Sequence, residues 1–161
     1  MKSYQQTIGQ KDEWLTPLWI LNKLGMFDLD PCASVVRPWH TALHHYTRED
    51  DGLNQEWFGR VWCNPPFHRY QRGAWMKKMS EHGNGIMLIP AATETNAFID
   101  HVWGKNDGIL FMNLRPHFCD TNGIEAKGNC GSSICLVAYG QNNYNILKAS
   151  GLGHLVTEDQ Q

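Results

Sequence analysis

The sequence has no apolar run near the roughly 20 residues that a membrane-spanning helix requires, which excludes a helical membrane protein. It has no excess of positive charge: 14 Lys and Arg stand against 16 Asp and Glu, for a formal net charge of −2. A protein that holds nucleic acid by bulk positive charge is thereby disfavoured. Residues 1–10 carry no signal-peptide core. No two of the 5 cysteines (Cys32, Cys63, Cys119, Cys130 and Cys135) are spaced C-x-x-C. The odd count and the missing leader predict reduced thiols in a cytosolic setting. Internal repeats and low-complexity linkers are also missing, and the composition excludes a coiled coil or a disordered tail. What is abundant is aromatic: 7 Trp, 5 Tyr and 6 Phe in 161 residues. That length predicts one domain, 1–161, with residues 1–12 and 153–161 as flexible termini.

No metal site is expected. His117, Cys119, Cys130 and Cys135 match no common zinc spacing, and Cys135 lies in the apolar run Ile134, Cys135, Leu136, Val137, where free cysteine is usually a small core residue. His40, His44 and His45 read as a wet surface or capping cluster.

Thr16-Pro17 followed by Leu18, Trp19, Ile20, Leu21 and Leu24 predicts a helix closed at Gly25, with Thr16 as its N-cap. Residues 26–31 and 42–46 read as short strands, and 48–52 as a polar loop with an Asp-Gly turn. Residues 60–63 form the next strand, which Pro65 and Pro66 must end because neither has an N–H to donate to a sheet. Trp75, Met76 and Met79 give the following helix its apolar side before Gly83. Residues 86–89 read as a buried strand ending at Pro90. Thr95 caps a helix carrying Phe98, Ile99, Val102 and Trp103. Residues 109–114 and 134–139 are two more strands, and Tyr144, Ile146 and Leu147 mark a last helix. Trp19, Trp62, Trp75 and Trp103 are expected in the core. Alternating strands and helices predict an α/β fold with a mostly parallel sheet. The last two strands, with no helix between them, are expected to end it as an antiparallel hairpin.

In such sheets ligands bind beyond the carboxyl ends of the strands, where Asp30-Pro31, Asn64-Pro65-Pro66-Phe67 and residues 90–95 all fall. The prolines stiffen the Asn64–Phe67 turn and leave their carbonyls able to accept. The Asn64 side-chain carbonyl is a further acceptor, and Phe67 a flat apolar face. Acceptors beside an aromatic plate suit a planar group with an exocyclic NH₂, such as a flipped-out adenine. Base stacking on such a ring contributes roughly 1–3 kcal/mol.

Trp14-x-Thr16-Pro17, Phe27-Asp28-Leu29-Asp30-Pro31-Cys32-Ala33, Asp51-Gly52-Leu53 with Trp57, and Val61-x-Cys63-Asn64-Pro65-Pro66-Phe67 together resemble the phage- and prophage-type DNA N6-adenine methyltransferases (Dam-like), which use S-adenosylmethionine (SAM). The resemblance runs from about Trp14 to Gly140. It implies a Rossmann-like class I SAM-dependent methyltransferase fold, double-stranded DNA as the partner and no obligatory protein partner. It implies that Asn64, Pro65, Pro66 and Phe67 are the catalytic motif, and that Thr16, Pro17, Asp28, Asp30 and Pro31 contact the cofactor. The sequence departs from many methyltransferases in lacking a Gly-rich turn after the first strand.

Asp30, beside its turn, is the better candidate for the positively charged methionine end of SAM; a helix-capping Asp30 is the structural alternative. Asp50 or Asp51 is expected to bind the ribose hydroxyls, as acidic residues do after strands in dinucleotide folds. His68, Arg69, Arg72, Lys77 and Lys78 form the densest basic stretch, and Arg115 and Lys127 lie in the long loop 115–133. His68, Arg69, Arg72, Arg115 and Lys127 are candidate DNA contacts. Two other readings keep part of this chemistry: methylation of RNA adenine or of a protein glutamine, and a catalytically silent module that binds SAM or nucleic acid.

Overall fold

The computed structural model describes residues 13–158; the terminus expected at 1–12 lies outside the described residues. Eleven elements follow one another: α1 (Leu18–Leu24), β1 (Leu29–Asp30), β2 (His44–His45), β3 (Val61–Cys63), α2 (Arg69–His82), β4 (Gly85–Pro90), α3 (Asn96–His101), β5 (Gly108–Met112), β6 (Ile134–Tyr139), α4 (Gln141–Ser150) and β7 (Gly153–Val156). The strands form one seven-stranded sheet in the order β2-β1-β3-β4-β6-β5-β7. β2, β1, β3 and β4 are parallel, whereas β6 runs antiparallel to both β4 and β5, and β7 antiparallel to β5.

Side-chain alternation distributes each central strand between two layers. Trp62, Ile86, Leu88, Leu136 and Ala138 face one way, into a core completed by Ile20, Leu21 and Leu24 of α1 and Leu147 of α4. Val61, Cys63, Met87, Ile89, Cys135 and Val137 face the other way, onto Met76 and Met79 of α2 and Phe98 of α3. Cys135 is a core thiol, as expected, and burial pushes its pKa up to about 12. All six residues of β4 and of β6 are buried. Each fully buried side chain of Leu, Ile or Met size contributes about 1.5–3 kcal/mol, so these two strands are the thermodynamic centre of the sheet.

Three expectations change. The antiparallel pair β5–β6 forms, but β6 lies inside the sheet beside β4, so the hairpin does not end it. The end is β7: Gly153–Val156, expected to be part of a flexible terminus, pairs with Ile109–Met112 across the edge. Its alternate residues are only half-covered and Val156 is exposed, so the four-residue strand shows little hydrophobic pattern. Trp19 is 42% exposed rather than core, while Trp62 and Trp75 are buried and Trp103 is half-buried. Thr95 caps α3 as expected, its hydroxyl accepting from the Phe98 N–H.

No helix among the described residues is long and apolar enough to cross a membrane.

Candidate active site

The direction in which the chain builds the sheet reverses between β1 and β3. From β1 it steps outward to β2, then returns to the other side of β1 to lay down β3 and β4. A crevice opens beyond the carboxyl ends of two parallel strands at such a reversal. Asp30 ends β1 and Asn64 follows β3 directly, so both motifs leave the sheet at the mouth of this crevice.

A third segment joins them. Leu15 and Cys119 exchange backbone hydrogen bonds of 2.8 and 2.9 Å, which lays residues 14–17 beside the rim. Thr16, expected as a helix cap, has another partner: Pro17 occupies the N-cap position and no side chain caps α1. The Thr16 hydroxyl, buried at 2% exposure, accepts instead from the Asn64 side-chain amide at 3.1 Å. The Asn64 carbonyl has no partner among the described residues. Trp14, Thr16, Asp30, Arg37, Thr41 and Asn64 line a recess of about 20 Å³. That is room for about one water.

Asp30 is the one buried carboxylate here. Its Oδ1 accepts from the Cys32 N–H at 3.0 Å and its Oδ2 from the Thr41 hydroxyl. It therefore caps a turn, not a helix. Burial raises its pKa to about 6, against the lowering effects of those hydrogen bonds and of the nearby Arg37. Pro31 carries the chain into contact with the next loop: a Cβ on Gly52 would lie 1.9 Å from the Pro31 carbonyl oxygen. Only glycine permits this approach, and it fixes Asp51 next to the β1 turn. Asp51 itself sits at φ 53°, the only positive φ outside glycine among the described residues. Left-handed backbone of this kind raises the energy of a non-glycine residue by roughly 1–2 kcal/mol and clusters at functional sites. Its carboxylate accepts from the Asn54 side-chain amide at 2.6 Å. Asp50 is turned into its own loop, accepting from the Thr47 N–H and hydroxyl at 2.8 and 2.9 Å. Those bonds lower its pKa.

Asp28 is not brought to the rim. Its carboxylate accepts from the Arg60 N–H at 2.6 Å, at the other end of β3. There the Arg60 guanidinium lies 4.0 Å over the Phe27 ring and donates to Asn143 at 2.6 Å. That cluster ties the amino ends of the strands together. Spacing alone could not separate Asp28 from Asp30, because both flank the same short strand.

Phe67 is half-buried and meets Phe118 edge to face, with centroids 5.7 Å apart. Phe118 belongs to the loop 115–133, whose internal bonds include Ala126 N–H to the Phe118 carbonyl at 2.8 Å and Cys130 N–H to the Pro116 carbonyl at 3.2 Å. This loop thus brackets the Asn64–Phe67 turn, and Phe118, invisible to sequence reasoning, buttresses Phe67.

The basic residues divide. His68 is the exposed N-cap of α2. The Arg72 guanidinium is half-buried and reaches the Phe67 carbonyl at 3.4 Å. The Arg69 side chain lies outside the described residues. Arg115 and Lys127 are exposed on the loop, and Arg115 reaches the Gly131 carbonyl at 3.4 Å. Lys77 pairs with Glu81 along α2. Lys78 donates to the Leu53 and Gln55 carbonyls at 2.7 and 2.6 Å, so it clamps the Asp51 loop to α2. No three His, Cys, Asp or Glu side chains among the described residues gather as a metal set.

A family model described as DNA N-6-adenine-methyltransferase (Dam) matches residues 4–160. No curated protein and no solved structure matches the chain.

Proposed function

The chain belongs to the DNA N-6-adenine-methyltransferase (Dam) family, and from that premise we propose that it transfers a methyl group from SAM to the N6 amine of an adenine flipped out of double-stranded DNA. The observation that carries this reading is the pairing of Asn64 with Thr16. With its NH₂ committed to the Thr16 hydroxyl, the amide turns its carbonyl oxygen outward as an acceptor. An adenine amine needs an acceptor there, and an amide reversed would set donor against donor.

The residues fit SAM by their chemistry. Asp30 is a buried carboxylate at the crevice, suited to an ammonium or sulfonium, since buried charge needs a partner. Pro31 and Gly52 bring backbone close to the rim, taking over the task of a glycine after the first strand. Asp51 sits in a strained conformation beside them, where a carboxylate could accept from ribose hydroxyls. Thr16 walls the same recess, and Pro17 follows it into α1. We accordingly read the sheet as a Rossmann-like class I methyltransferase sheet in one domain, on the strength of its parallel strands and the reversal between β1 and β3.

When bound, SAM supplies an electrophilic methyl group. The protein's part is placement. Asn64 Oδ1 and the Pro65 carbonyl accept the amine hydrogens and direct the nitrogen lone pair. Phe67, braced by Phe118, offers a face for the base, and Pro66 keeps the turn stiff. Orientation of this kind supplies the greater part of catalysis when the cofactor holds the reactive group. With the amine itself as the nucleophile and the thioether as the leaving group, the transfer would call for no covalent intermediate on the protein, and the displaced amine proton would pass to solvent. His68 and Arg72 lie at the Phe67 turn and Arg115 and Lys127 are exposed on the loop 115–133; these four, with Arg69 by its place in the sequence, are the proposed phosphate contacts.

Labelled-methyl transfer to DNA, RNA and protein tests the reading, with Asn64→Ala as the control. DNA should be labelled at adenine N6. Asn64→Ala should lose on the order of 100-fold or more in rate while binding SAM within a few fold of the parent. Near-normal transfer by that variant, or labelling of RNA or protein in place of DNA, defeats it.

A further inference from the structure

Within the loop 115–133, residues 118–126 close into an antiparallel hairpin. The Ala126 N–H donates to the Phe118 carbonyl at 2.8 Å, Cys119 bridges to Glu125, and the Asp120 N–H donates to the Ile124 carbonyl at 2.9 Å. The turn is tied from inside, because Asp120 Oδ1 accepts from the Asn122 and Ile124 N–H groups at 2.9 and 3.0 Å. Both ends of the hairpin are anchored. Cys119 pairs with Leu15, and Gly123, at φ 80°, presses on Pro38 and Trp39 so closely that a Cβ there would lie 2.9 Å from each. The side chains at the tip are therefore held in set places. Successive residues of such a ribbon alternate between its faces and cross-strand partners share one, so Phe118 and Ile124 lie on one face and Glu125 on the other. Phe118 meets Phe67 of the catalytic turn. Ile124 is 65% exposed, and Asn122 is exposed beside it.

The charges suit a polyanion. Arg115 and Lys127 flank the hairpin as exposed cations, while the Asp120 carboxylate is bound within the turn and Glu125 lies 3.9 Å from the His117 ring on the far face. Resting on the reading of the chain as a DNA methyltransferase, we propose that this hairpin enters the major groove and reads the base pairs beside the flipped adenine, Asn122 by hydrogen bonds to a base edge and Ile124 by apolar contact. A two-stranded ribbon fits the roughly 12 Å major groove and not the roughly 6 Å minor groove. A side-chain amide offers a donor and an acceptor together, which the major-groove pattern of bases can match. The Asp120–Ile124 pair lies two residues beyond the Phe118–Ala126 pair, about 7 Å along the ribbon, and base pairs rise about 3.4 Å each. Asn122 and Ile124 thus reach pairs within about two steps of the adenine at Phe67, and both are specificity-determining residues.

Long-read sequencing of DNA methylated in vitro by the full chain gives the parent's site profile, and rates on duplexes that differ at one pair give its discrimination. Asn122→Ala should relax discrimination at one pair near the adenine by about fivefold or more, the effect of one lost bidentate contact. Ile124→Ala should relax it at another pair by a smaller factor. SAM affinity and melting temperature should match the parent's, because both side chains are exposed, and either variant alone is a sufficient test. Variants that keep the parent's site profile, or that lose rate equally at every site, overturn the inference. So does a parent that methylates adenine whatever its neighbours. Each of those outcomes leaves the DNA methyltransferase reading standing. A parent that methylates no DNA overturns that reading, and this inference with it.

Discussion

The Asn64 side-chain amide donates to the Thr16 hydroxyl across 3.1 Å, joining two short motifs 48 residues apart in the chain. The bond sets which end of the amide faces the crevice. Thr16→Val keeps the shape and removes the acceptor, freeing the amide to rotate. The turnover number should fall by about 10–100-fold, the order expected of a misplaced catalytic group. The KM for SAM should move much less, and Thr16→Ser should restore most of the rate. Steady-state kinetics of the two variants decide it: equal activity of Val and Ser removes Thr16 from the positioning role.

Asp51 and Gly52 make opposite demands on substitution. Asp51→Gly relieves the positive φ, but it enlarges the entropy of the unfolded chain and loses an exposed hydrogen bond, so stability should stay within about 1 kcal/mol. SAM affinity should nevertheless drop about tenfold or more as charged hydrogen bonds to ribose are lost. Gly52→Ala puts a methyl group against the Pro31 carbonyl, where backbone meets backbone. That variant should lose about 2–3 kcal/mol and melt about 5–10 °C lower. Thermal unfolding with and without SAM separates the two effects, and an Asp51→Gly protein with unchanged SAM affinity would remove the ribose role.

Asp30 gives stability and binding opposite responses to pH. Its carboxyl has a pKa of about 6 when folded and 3.8 as an ordinary unburied group. The folded state therefore holds a proton that the unfolded chain has released between those values. This contribution is complete below about 3.8 and is lost as pH rises through about 6. Its upper size is about 3 kcal/mol at 1.36 kcal/mol per pKa unit. Urea unfolding from pH 4 to 7 should show the parent losing stability relative to Asp30→Asn, and parallel curves would refute the assignment. Binding of a cationic ligand should instead tighten as pH rises through about 6, because only the ionised carboxylate attracts it.

Two lysines that look alike in sequence should differ in DNA binding. Lys127 is exposed on the loop 115–133, while the Lys78 ammonium is occupied by two carbonyls. Lys127→Ala should lower the slope of log affinity against log salt by about 1, the loss of one phosphate contact. Lys78→Gln should leave that slope alone and loosen the Asp51 loop instead. Binding isotherms at several salt concentrations would expose the reverse pattern if the lysines are misassigned.

The rim of the site was readable because prolines and polar turns leave marks that do not depend on the rest of the fold. Asp30-Pro31 and Asn64-Pro65 each announce the carboxyl end of a strand. Thr16 was harder: threonine before proline is a sound helix cap locally, and only a partner 48 residues away redirects its hydroxyl. Asp28 failed for the related reason that its partner, the Arg60 N–H, is a backbone atom with no sequence signature. β7 was hidden because an edge strand covered on one side shows little hydrophobic pattern. The place of β6 between β4 and β5 is a matter of strand order, on which residue pattern is silent. Phe118 and Arg37 stand in loops without periodicity, so nothing in the chain separates them from surface residues until the loops are seen folded.

The interior position of β6 governs the order of events during synthesis. β4 is wholly buried, yet its second neighbour lies beyond α3, β5 and the loop 115–133. Until Ile134–Tyr139 leaves the ribosome, β4 and β5 each present a bare, apolar edge. Unpaired edges of this kind recruit other chains, and pairings distant in sequence form slowly. A nascent chain stalled before Ile134 should therefore be the aggregation-prone species of this protein, and completion of β6 the step that covers β4 and joins β5 to the sheet.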